Sequence, residues 1–286
     1  MTLSPLPLTV IEKPVRAALD EDFGVSGDLT ANLLVPEEPT GSLVIRARKD
    51  GVIAGMQAAR LTYALVDPLM TFETVIGDGG AVANGDVVAR VSGPSRSLLS
   101  AERVALNFLG RMSGIATLTA RYVEAVQGLD VRIAATRKTT PGLRALEKRA
   151  VLAGGGFAHR ESLAAAVMVK DNHIALAGGV DAALGTLMQR VDHMVNVSVE
   201  VDTLDQLERV LPYRPGVVLL DNMGPERLRE AVAIADAFDG ARPTLEASGG
   251  VTLHTVRELA ETGIDVISIG ALTHSAPNFD LGMDAA

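Results

Sequence analysis

The chain has 286 residues, of which 48% are apolar and 21% charged, so it is long enough for one large or two modest domains and too apolar for a disordered polypeptide. It contains no cysteine, which excludes disulfides, thiolate metal sites and a cysteine nucleophile and is typical of a reducing cytoplasm. The net charge of −9 opposes binding to nucleic acid or anionic membranes, and no apolar run reaches the roughly 18–20 residues of a membrane span. The first 14 residues also lack the basic region and apolar run of a signal peptide, so we expect a cytoplasmic protein.

The first part of the chain predicts strands separated by glycine-rich turns, which indicates an antiparallel or mixed sheet. The strand-like segments are residues 42–48, 71–75 and 86–91. Residues 100–115 then predict an amphipathic helix, because Ala101, Ala105, Phe108 and Met112 fall on one stripe. We place a domain boundary near residue 115.

The second part of the chain alternates short, nearly continuous apolar runs with helical patterns. Such runs are expected for parallel strands covered on both faces, and they occupy residues 131–135, 166–169, 195–199, 217–220, 244–247 and 266–269. The clearest helical patterns cover residues 203–210, 225–238 and 252–262. Six βα units predict an α/β barrel with fewer than eight strands.

Charged residues follow four of the six predicted strands, and small residues follow the other two. In α/β barrels the reacting groups lie at these C-terminal strand ends. Cations after the first two strands suit a polyanionic ligand, and carboxylates after the next two suit a divalent cation or sugar hydroxyls. Small residues after the last two leave backbone N–H groups for a phosphate. The six ends are residues 136–138 (TRK), 170–173 (KDNH), 200–202 (EVD), 221–222 (DN), 248–250 (SGG) and 270–271 (GA).

Several of these residues also have a structural interpretation. Asp221 alone fits a helix cap as well as a ligand, and the turn at residues 248–250 alone fits an ordinary βα loop. We interpret Asp202 as a cap and Glu200 as the better site candidate. His159, which has no obvious core role, is interpreted as functional. The residues at all six strand ends fit one anionic ligand bound together with a metal. This agreement favours a functional site over the separate structural interpretations.

The remaining histidines and part of the basic cluster fit the protein surface. Residues 137–170 hold seven cations and two acids inside an acidic protein. Within that cluster we interpret Lys148 and Arg149 as a solvated helix face. His193 and His254 lie in helical or connecting segments and are interpreted as surface residues.

A set of motifs covers nearly the whole chain. The most specific are residues 136–144 (TRKTTPGLR), 154–160 (GGGFAHR) and 169–174 (VKDNHI), and they are joined by residues 19–22 (LDED), 27–30 (GDLT), 102–103 (ER), 113–117 (SGIAT), 245–250 (LEASGG) and 270–274 (GALTH). Together they resemble the signature of the quinolinate phosphoribosyltransferases, also called nicotinate-nucleotide pyrophosphorylases (carboxylating). The resemblance implies an N-terminal α+β sandwich and dimerisation domain over residues 1–115. It implies an incomplete α/β barrel over residues 116–286, in an intertwined homodimer or higher homo-oligomer.

The resemblance also implies an activity and a role for each matching residue. The reaction transfers phosphoribosyl from phosphoribosyl pyrophosphate to quinolinate with decarboxylation, using Mg2+, and serves NAD biosynthesis. The quinolinate carboxylates are assigned to Arg137, His159, Arg160 and Lys170, with Arg103 entering from the partner subunit. Lys138 contacts the diphosphate, and Glu200 and Asp221 lie at the ribose and the metal. The 5′-phosphate is assigned to Ser248, Gly249, Gly250, Gly270, Ala271 and Leu272, with His274 nearby and Thr136 among the substrate-binding residues. Lys138, Lys170, Glu200 and Asp221 are the catalytic set.

Two departures from the family pattern and three rival functions accompany this assignment. The family usually has Asp where this chain has Ala135, and often where it has Ala165, which puts supporting hydrogen bonds in doubt. The rivals are a related phosphoribosyltransferase for another anionic base (including relatives associated with molybdenum uptake), a Schiff-base aldolase that uses Lys170, and a non-catalytic phosphate-binding module. A Rossmann-type phosphoribosyltransferase is disfavoured because Asp221 and Asn222 are not followed by its Thr-Gly phosphate loop.

Overall fold

A computed structural model describes residues 3–285 of the chain, which divide into two compact units. The first unit contains the described residues up to Ala120, residues Lys138–Gly156, and the described residues from Ala271 onward. The second unit contains Arg121–Arg137 and Phe157–Gly270. Each unit is therefore made of segments that are not consecutive in the chain. The boundary near residue 115 is a single division of the linear sequence, and it stays a prediction.

The helices of the described residues are, in chain order, α1 (Leu8–Phe23), α2 (Leu29–Leu34), α3 (Met56–Val66), α4 (Ser95–Ala125), α5 (Arg144–Ala153), α6 (Asp171–Leu176), α7 (Val180–Met188), α8 (Leu204–Val210), α9 (Pro225–Ala237), α10 (Val256–Ala260) and α11 (Ala271–His274). The strands are β1 (Thr40–Ala47), β2 (Gly51–Val52), β3 (Thr71–Thr74), β4 (Ala81–Val82), β5 (Val87–Pro94), β6 (Arg132–Ala134), β7 (Val167–Val169), β8 (Val197–Val201), β9 (Val217–Asp221), β10 (Thr244–Ser248), β11 (Val266–Ser268) and β12 (Leu281–Ala285). None of these helices is both long and apolar enough to cross a bilayer.

The first unit is built on an antiparallel sheet in the order β12-β1-β5-β3, as predicted for this part of the chain. Both β1 and β5 contribute buried positions to a core, among them Ala47, Ala89 and Val91. Side chains from the sheet, from α3 and α4, and from the segment before β12 fill that core, among them Ile45, Tyr63, Leu98, Leu109 and Phe279. The strand β12 carries no signal that the sequence analysis used.

The second unit is a parallel sheet in the order β6-β11-β10-β9-β8-β7. Each of the six predicted apolar runs overlaps one of these strands, and β8, β9 and β10 extend one or two residues beyond the predicted ends. All five residues of β8 are buried, as expected for a strand covered on both faces. Within the described residues no ladder joins β6 to β7, so the sheet stays open. The predicted incomplete α/β barrel is confirmed.

The helix α4 extends beyond both ends of the predicted range of residues 100–115, and two glycines inside it serve close packing. A Cβ atom on Gly110 would lie 3.0 Å from the carbonyl oxygen of Phe279, and one on Gly114 would collide with the carbonyl oxygen of Pro277. The segment before β12 therefore lies directly on the glycine face of α4. The helix continues to Ala125, whereas we had ended it at residue 115.

The interpretation of Lys148 as a solvated surface residue is wrong. Its side chain is 1% exposed, because α5 packs against both α1 and α11 and therefore has few solvent-facing positions. Arg149 is half-buried. His193 and His254 are exposed, as interpreted.

Asp202 does not cap the helix that follows it. The cap of α8 is Thr203, whose Oγ1 accepts a hydrogen bond from the Gln206 N–H at 3.2 Å. The N–H of Asp202 instead donates to Oε1 of Gln206 at 2.7 Å. The helix α10 is shorter than the predicted range of residues 252–262, because residues 252–255 form a hydrogen-bonded turn ahead of it.

Candidate active site

Lys170 and Glu200 meet at the ends of two neighbouring strands of the second unit. The register pairs Val169 of β7 with Val199 of β8, so the two following residues stand level. Nζ of Lys170 contacts Oε2 of Glu200 as an ion pair. The Glu200 side chain is 10% exposed and the Lys170 side chain 44%, so the carboxylate lies inside and the ammonium at the solvent edge.

Asp221 and the turn after β10 form a second packed group in the same unit. Oδ2 of Asp221 accepts from the Asn222 side-chain amide at 2.6 Å, and the Asn222 N–H donates to the Ser248 carbonyl at 2.8 Å. Asn222 adopts a left-handed φ of 53°, which asparagine tolerates better than most residues. A Cβ atom on Gly249, whose φ is +98°, would collide with the Asn222 side chain. The cap of α9 is Gly224, so Asp221 does not cap that helix.

Three basic residues predicted to bind substrate, Arg137, His159 and Arg160, lie after or beside the end of β6. The N–H of Phe157 donates to the Ile133 carbonyl and its carbonyl accepts from the Ala135 N–H, both at 2.8 Å, so the segment carrying His159 and Arg160 runs along β6. Burial and the neighbouring guanidinium of Arg137 lower the pKa of Arg160. Arg137 therefore disfavours the charged form of Arg160, an effect that the carboxylate of Glu246 opposes.

Nε of Arg137, which follows β6, and Oε1 of Glu246 in β10 are buried atoms without a hydrogen-bond partner among the described residues. Nε2 of His159 lies 3.3 Å from Oε1 of Glu246, and the Glu246 side chain is 5% exposed. His159 itself has a left-handed φ of 57°, an uncommon conformation that tends to occur at functional sites.

Glu246 is a residue that the sequence analysis missed. It sits in the middle of a run that we treated as apolar, and an acid inside a buried strand was the available signal. Its register partners are Leu219 of β9 and Val266 of β11. Glu246 is therefore a buried carboxylate beside His159, and its charge also acts on Arg160.

The remaining predicted residues of the second unit are Thr136, half-buried ahead of Arg137, Gly250 in the turn after β10, and Gly270 after β11. Those of the first unit are Arg103, Lys138, Ala271, Leu272 and His274. Arg103 is exposed on α4. The carbonyl of Lys138 accepts a hydrogen bond from Oγ1 of Thr273 at 2.7 Å, which ties Lys138 to α11. Ala271, Leu272 and His274 are residues of α11 itself, with Leu272 buried.

Glu200 and Asp221 are the two carboxylates predicted to hold the metal, and Glu200 is paired with Lys170. They are the penultimate residue of β8 and the last residue of the adjacent parallel strand β9. No cluster of three or more His, Cys, Asp or Glu side chains suited to a metal occurs within residues 3–285. Mg2+ is commonly held by one or two carboxylates together with substrate phosphates. An oxygen-only pair of this kind fits Mg2+ bound jointly with a diphosphate.

The open parallel sheet with charged strand ends defines the class of protein as an α/β-barrel enzyme. Family models agree with this class and refine it. The model for the N-terminal domain of quinolinate phosphoribosyl transferase matches residues 28–113, and the model for its C-terminal domain matches residues 115–284. The chain belongs to the quinolinate phosphoribosyltransferase family, as its motifs implied.

Individual relatives and solved structures support the same membership. The chain is 39% identical over 288 residues to the nicotinate-nucleotide pyrophosphorylase (carboxylating) of Mycobacterium leprae, covering 99% of each chain. It is 40% identical over 287 residues to quinolinate phosphoribosyltransferase (decarboxylating) 1b of Nicotiana tabacum, covering 94% of this chain and 80% of the relative. The crystal structure of NadC from Streptococcus pyogenes matches with a TM-score of 0.93 at 36% identity, covering 99% of this chain and 98% of that one.

Proposed function

We propose that this enzyme transfers the phosphoribosyl group of phosphoribosyl pyrophosphate to quinolinate, with loss of carbon dioxide and pyrophosphate, to give nicotinate mononucleotide for NAD biosynthesis. Family membership supports this reaction and disfavours the aldolase and the non-catalytic alternatives. One observation carries it most directly. The buried Nε of Arg137, without a hydrogen-bond acceptor in the described residues and near Arg160, is what a dicarboxylate ligand would satisfy.

The basic residues of the second unit supply the quinolinate half of the mechanism. Arg137, Arg160, His159 and Lys170 bind the two carboxylates, and bidentate guanidinium contacts fix the plane of the pyridine ring. The ring nitrogen is the nucleophile, so no serine or cysteine nucleophile is required. Once the nitrogen is bonded to ribose, its positive charge stabilises the carbanion left at C2 when the 2-carboxylate departs as carbon dioxide. This carbanion then takes up a proton from water to give the nucleotide product. The protein's task is to hold the ring so that decarboxylation follows bond formation.

The phosphoribosyl half of the mechanism is mainly electrostatic. Glycosidic bond cleavage is expected to pass through an oxocarbenium-like state, so the protein stabilises a departing diphosphate rather than forming a covalent intermediate. Lys138 contacts that diphosphate, and the residues around Ser248 and Ala271 hold the 5′-phosphate. Glu200 and Asp221 bind the ribose and would hold Mg2+, which when bound supplies positive charge to the diphosphate.

Metal dependence is the first expected result. Treatment with EDTA should abolish turnover, and added Mg2+ or Mn2+ should restore it, because two carboxylates without a thiolate or imidazole cluster favour hard cations. The measurement is the steady-state rate of carbon dioxide release before and after chelation, with metal-free buffers. Full activity in chelated, metal-free protein would contradict the assignment.

We also propose a cytoplasmic homodimer, or a higher oligomer built from it, in which Arg103 serves the partner's site. The exposure of Arg103 on α4 supports this role, since an exposed guanidinium is accessible to another subunit. Under this proposal residues 1–115 form the dimerisation domain and residues 116–286 the catalytic barrel. The junction between the two family models, between residues 113 and 115, supports that division.

A further inference from the structure

An ion pair between Arg111 of α4 and Glu147 of α5 lies within the first unit, and neither residue is assigned to substrate. Nη2 and Nε of Arg111 lie 2.8 Å and 3.1 Å from Oε1 of Glu147. The Glu147 side chain is 0% exposed and that of Arg111 22%. A buried pair of this kind is weak evidence for stability, because the desolvation cost offsets the attraction. A role in fixing geometry explains it better.

Glu147 holds the segment that begins with Lys138. Its Oε2 accepts from the Thr140 N–H at 3.0 Å, and its Oε1 accepts from the Thr140 hydroxyl at 2.7 Å. Nε of Arg144 braces the same segment by donating to Oγ1 of Thr139 at 3.0 Å. The backbone two residues beyond Lys138 is therefore fixed by a buried carboxylate.

Arg111 holds the other segment, α11 and the residues after it. Nη1 donates to the Ala276 carbonyl at 3.2 Å, and Nη2 donates to the Thr273 carbonyl. Thr273 links α11 directly to the Lys138 segment, because its Oγ1 donates to the Lys138 carbonyl at 2.7 Å. The Thr273 side chain is fully buried. One ion pair and one hydroxyl therefore connect the Lys138 segment to α11.

We propose that Arg111, Glu147 and Thr273 are positioning residues that fix the spacing between Lys138 and α11, and thereby the binding of phosphoribosyl pyrophosphate. The inference rests on the proposed function, in which Lys138 contacts the diphosphate end and α11 the 5′-phosphate end of this substrate. None of the three is proposed to touch the substrate. Preorganised spacing matters because small displacements of binding groups cost large factors in rate.

Thr273→Val tests this inference, since it removes the hydroxyl and keeps the side-chain volume. With Mg2+ present, the Kd of phosphoribosyl pyrophosphate and the Kd of quinolinate are measured by calorimetry. The KM values of the two substrates are then measured from steady-state rates. Thr273→Val is expected to raise the Kd of phosphoribosyl pyrophosphate by about tenfold and to change the Kd of quinolinate by no more than about twofold. Thr273→Ser, which retains the hydroxyl, should restore most of the affinity. If Thr273→Val folds poorly, the same two affinities are measured for Thr140→Val, because Thr140 is exposed and belongs to the same hydrogen-bond network.

A matched control is Thr62→Val, another fully buried threonine of the first unit, whose hydroxyl donates to the Ala58 carbonyl within α3. It should lower Tm without changing either affinity. Wild-type protein that binds both ligands alongside a Thr273→Val variant with wild-type affinities would overturn this inference alone. An equal loss of affinity for both ligands, or a loss of affinity that Thr273→Ser does not restore, would also overturn it. Wild-type protein that binds neither ligand would overturn the proposed function as well.

Discussion

Nicotinate, which lacks the 2-carboxylate of quinolinate, is expected to be used at least about 10⁴-fold less efficiently than quinolinate. Arg137, Arg160, Lys170 and the partner's Arg103 supply more positive charge than one carboxylate neutralises. Each charged hydrogen bond lost is worth about 1.5–3 kcal/mol. Nicotinate would leave Arg137 and Arg160 without their joint counter-ion, in a place where burial and the neighbouring Arg137 already lower the pKa of Arg160. Steady-state kcat/KM for both acids at saturating phosphoribosyl pyrophosphate measures the ratio.

Phthalate provides the control for this discrimination. It keeps both adjacent carboxylates but lacks the ring nitrogen, so it should compete with quinolinate without being turned over. The variant Arg137→Leu should reduce the preference for quinolinate, whereas Arg229→Leu, an exposed change on α9, should leave the ratio unaltered. Turnover of nicotinate within tenfold of quinolinate would refute the dicarboxylate pocket. It would favour the rival phosphoribosyltransferase for another base.

Arg103→Ala and Lys170→Ala homodimers are each expected to be nearly inactive, and mixing them should restore activity. If Arg103 serves the neighbouring subunit, one site of each mixed dimer regains both residues. Random re-pairing gives about half mixed dimers, each with one intact site, so about a quarter of wild-type activity should return. The measurement is the rate after the two variants are unfolded together and refolded.

The controls for this experiment are each variant refolded alone and a chromatographic demonstration that subunits have exchanged. Neither variant alone should recover activity. Mixed dimers that stay inactive despite proven exchange would mean that Arg103 acts in its own chain or has no role. Full activity of the Arg103→Ala homodimer would remove this residue from the site.

The strands and their charged ends were predictable because they depend on local chemistry. Parallel strands covered on both faces need apolar runs, and the polar residues directly after them must lie at one edge of the sheet, so Lys170 and Glu200 could be brought together from sequence alone. The pairing follows from the register of β7 and β8. The roles assigned to Arg103 and Lys138, by contrast, came from resemblance.

The residues that escaped prediction depend on packing between distant segments. Glu246 lies among apolar residues of a strand, so the sequence pattern indicated a buried strand and no site residue. Its partner His159 comes from a different βα connection. Glu147 and Lys148 have the composition of a solvated helix face, yet both are buried because α1 and α11 cover α5. Arg111 and Thr273 are separated by 162 positions in the chain, so no local pattern signals their contact.

Product analysis tests the central claim most directly. Purified protein is mixed with quinolinate carrying a labelled 2-carboxylate, phosphoribosyl pyrophosphate and Mg2+, and the products are separated and quantified. The account predicts nicotinate mononucleotide, pyrophosphate and labelled carbon dioxide in equal amounts, and none of them when any one substrate is omitted. A nucleotide that retains the labelled carboxylate, or no nucleotide at all from folded, metal-supplied protein, would contradict it.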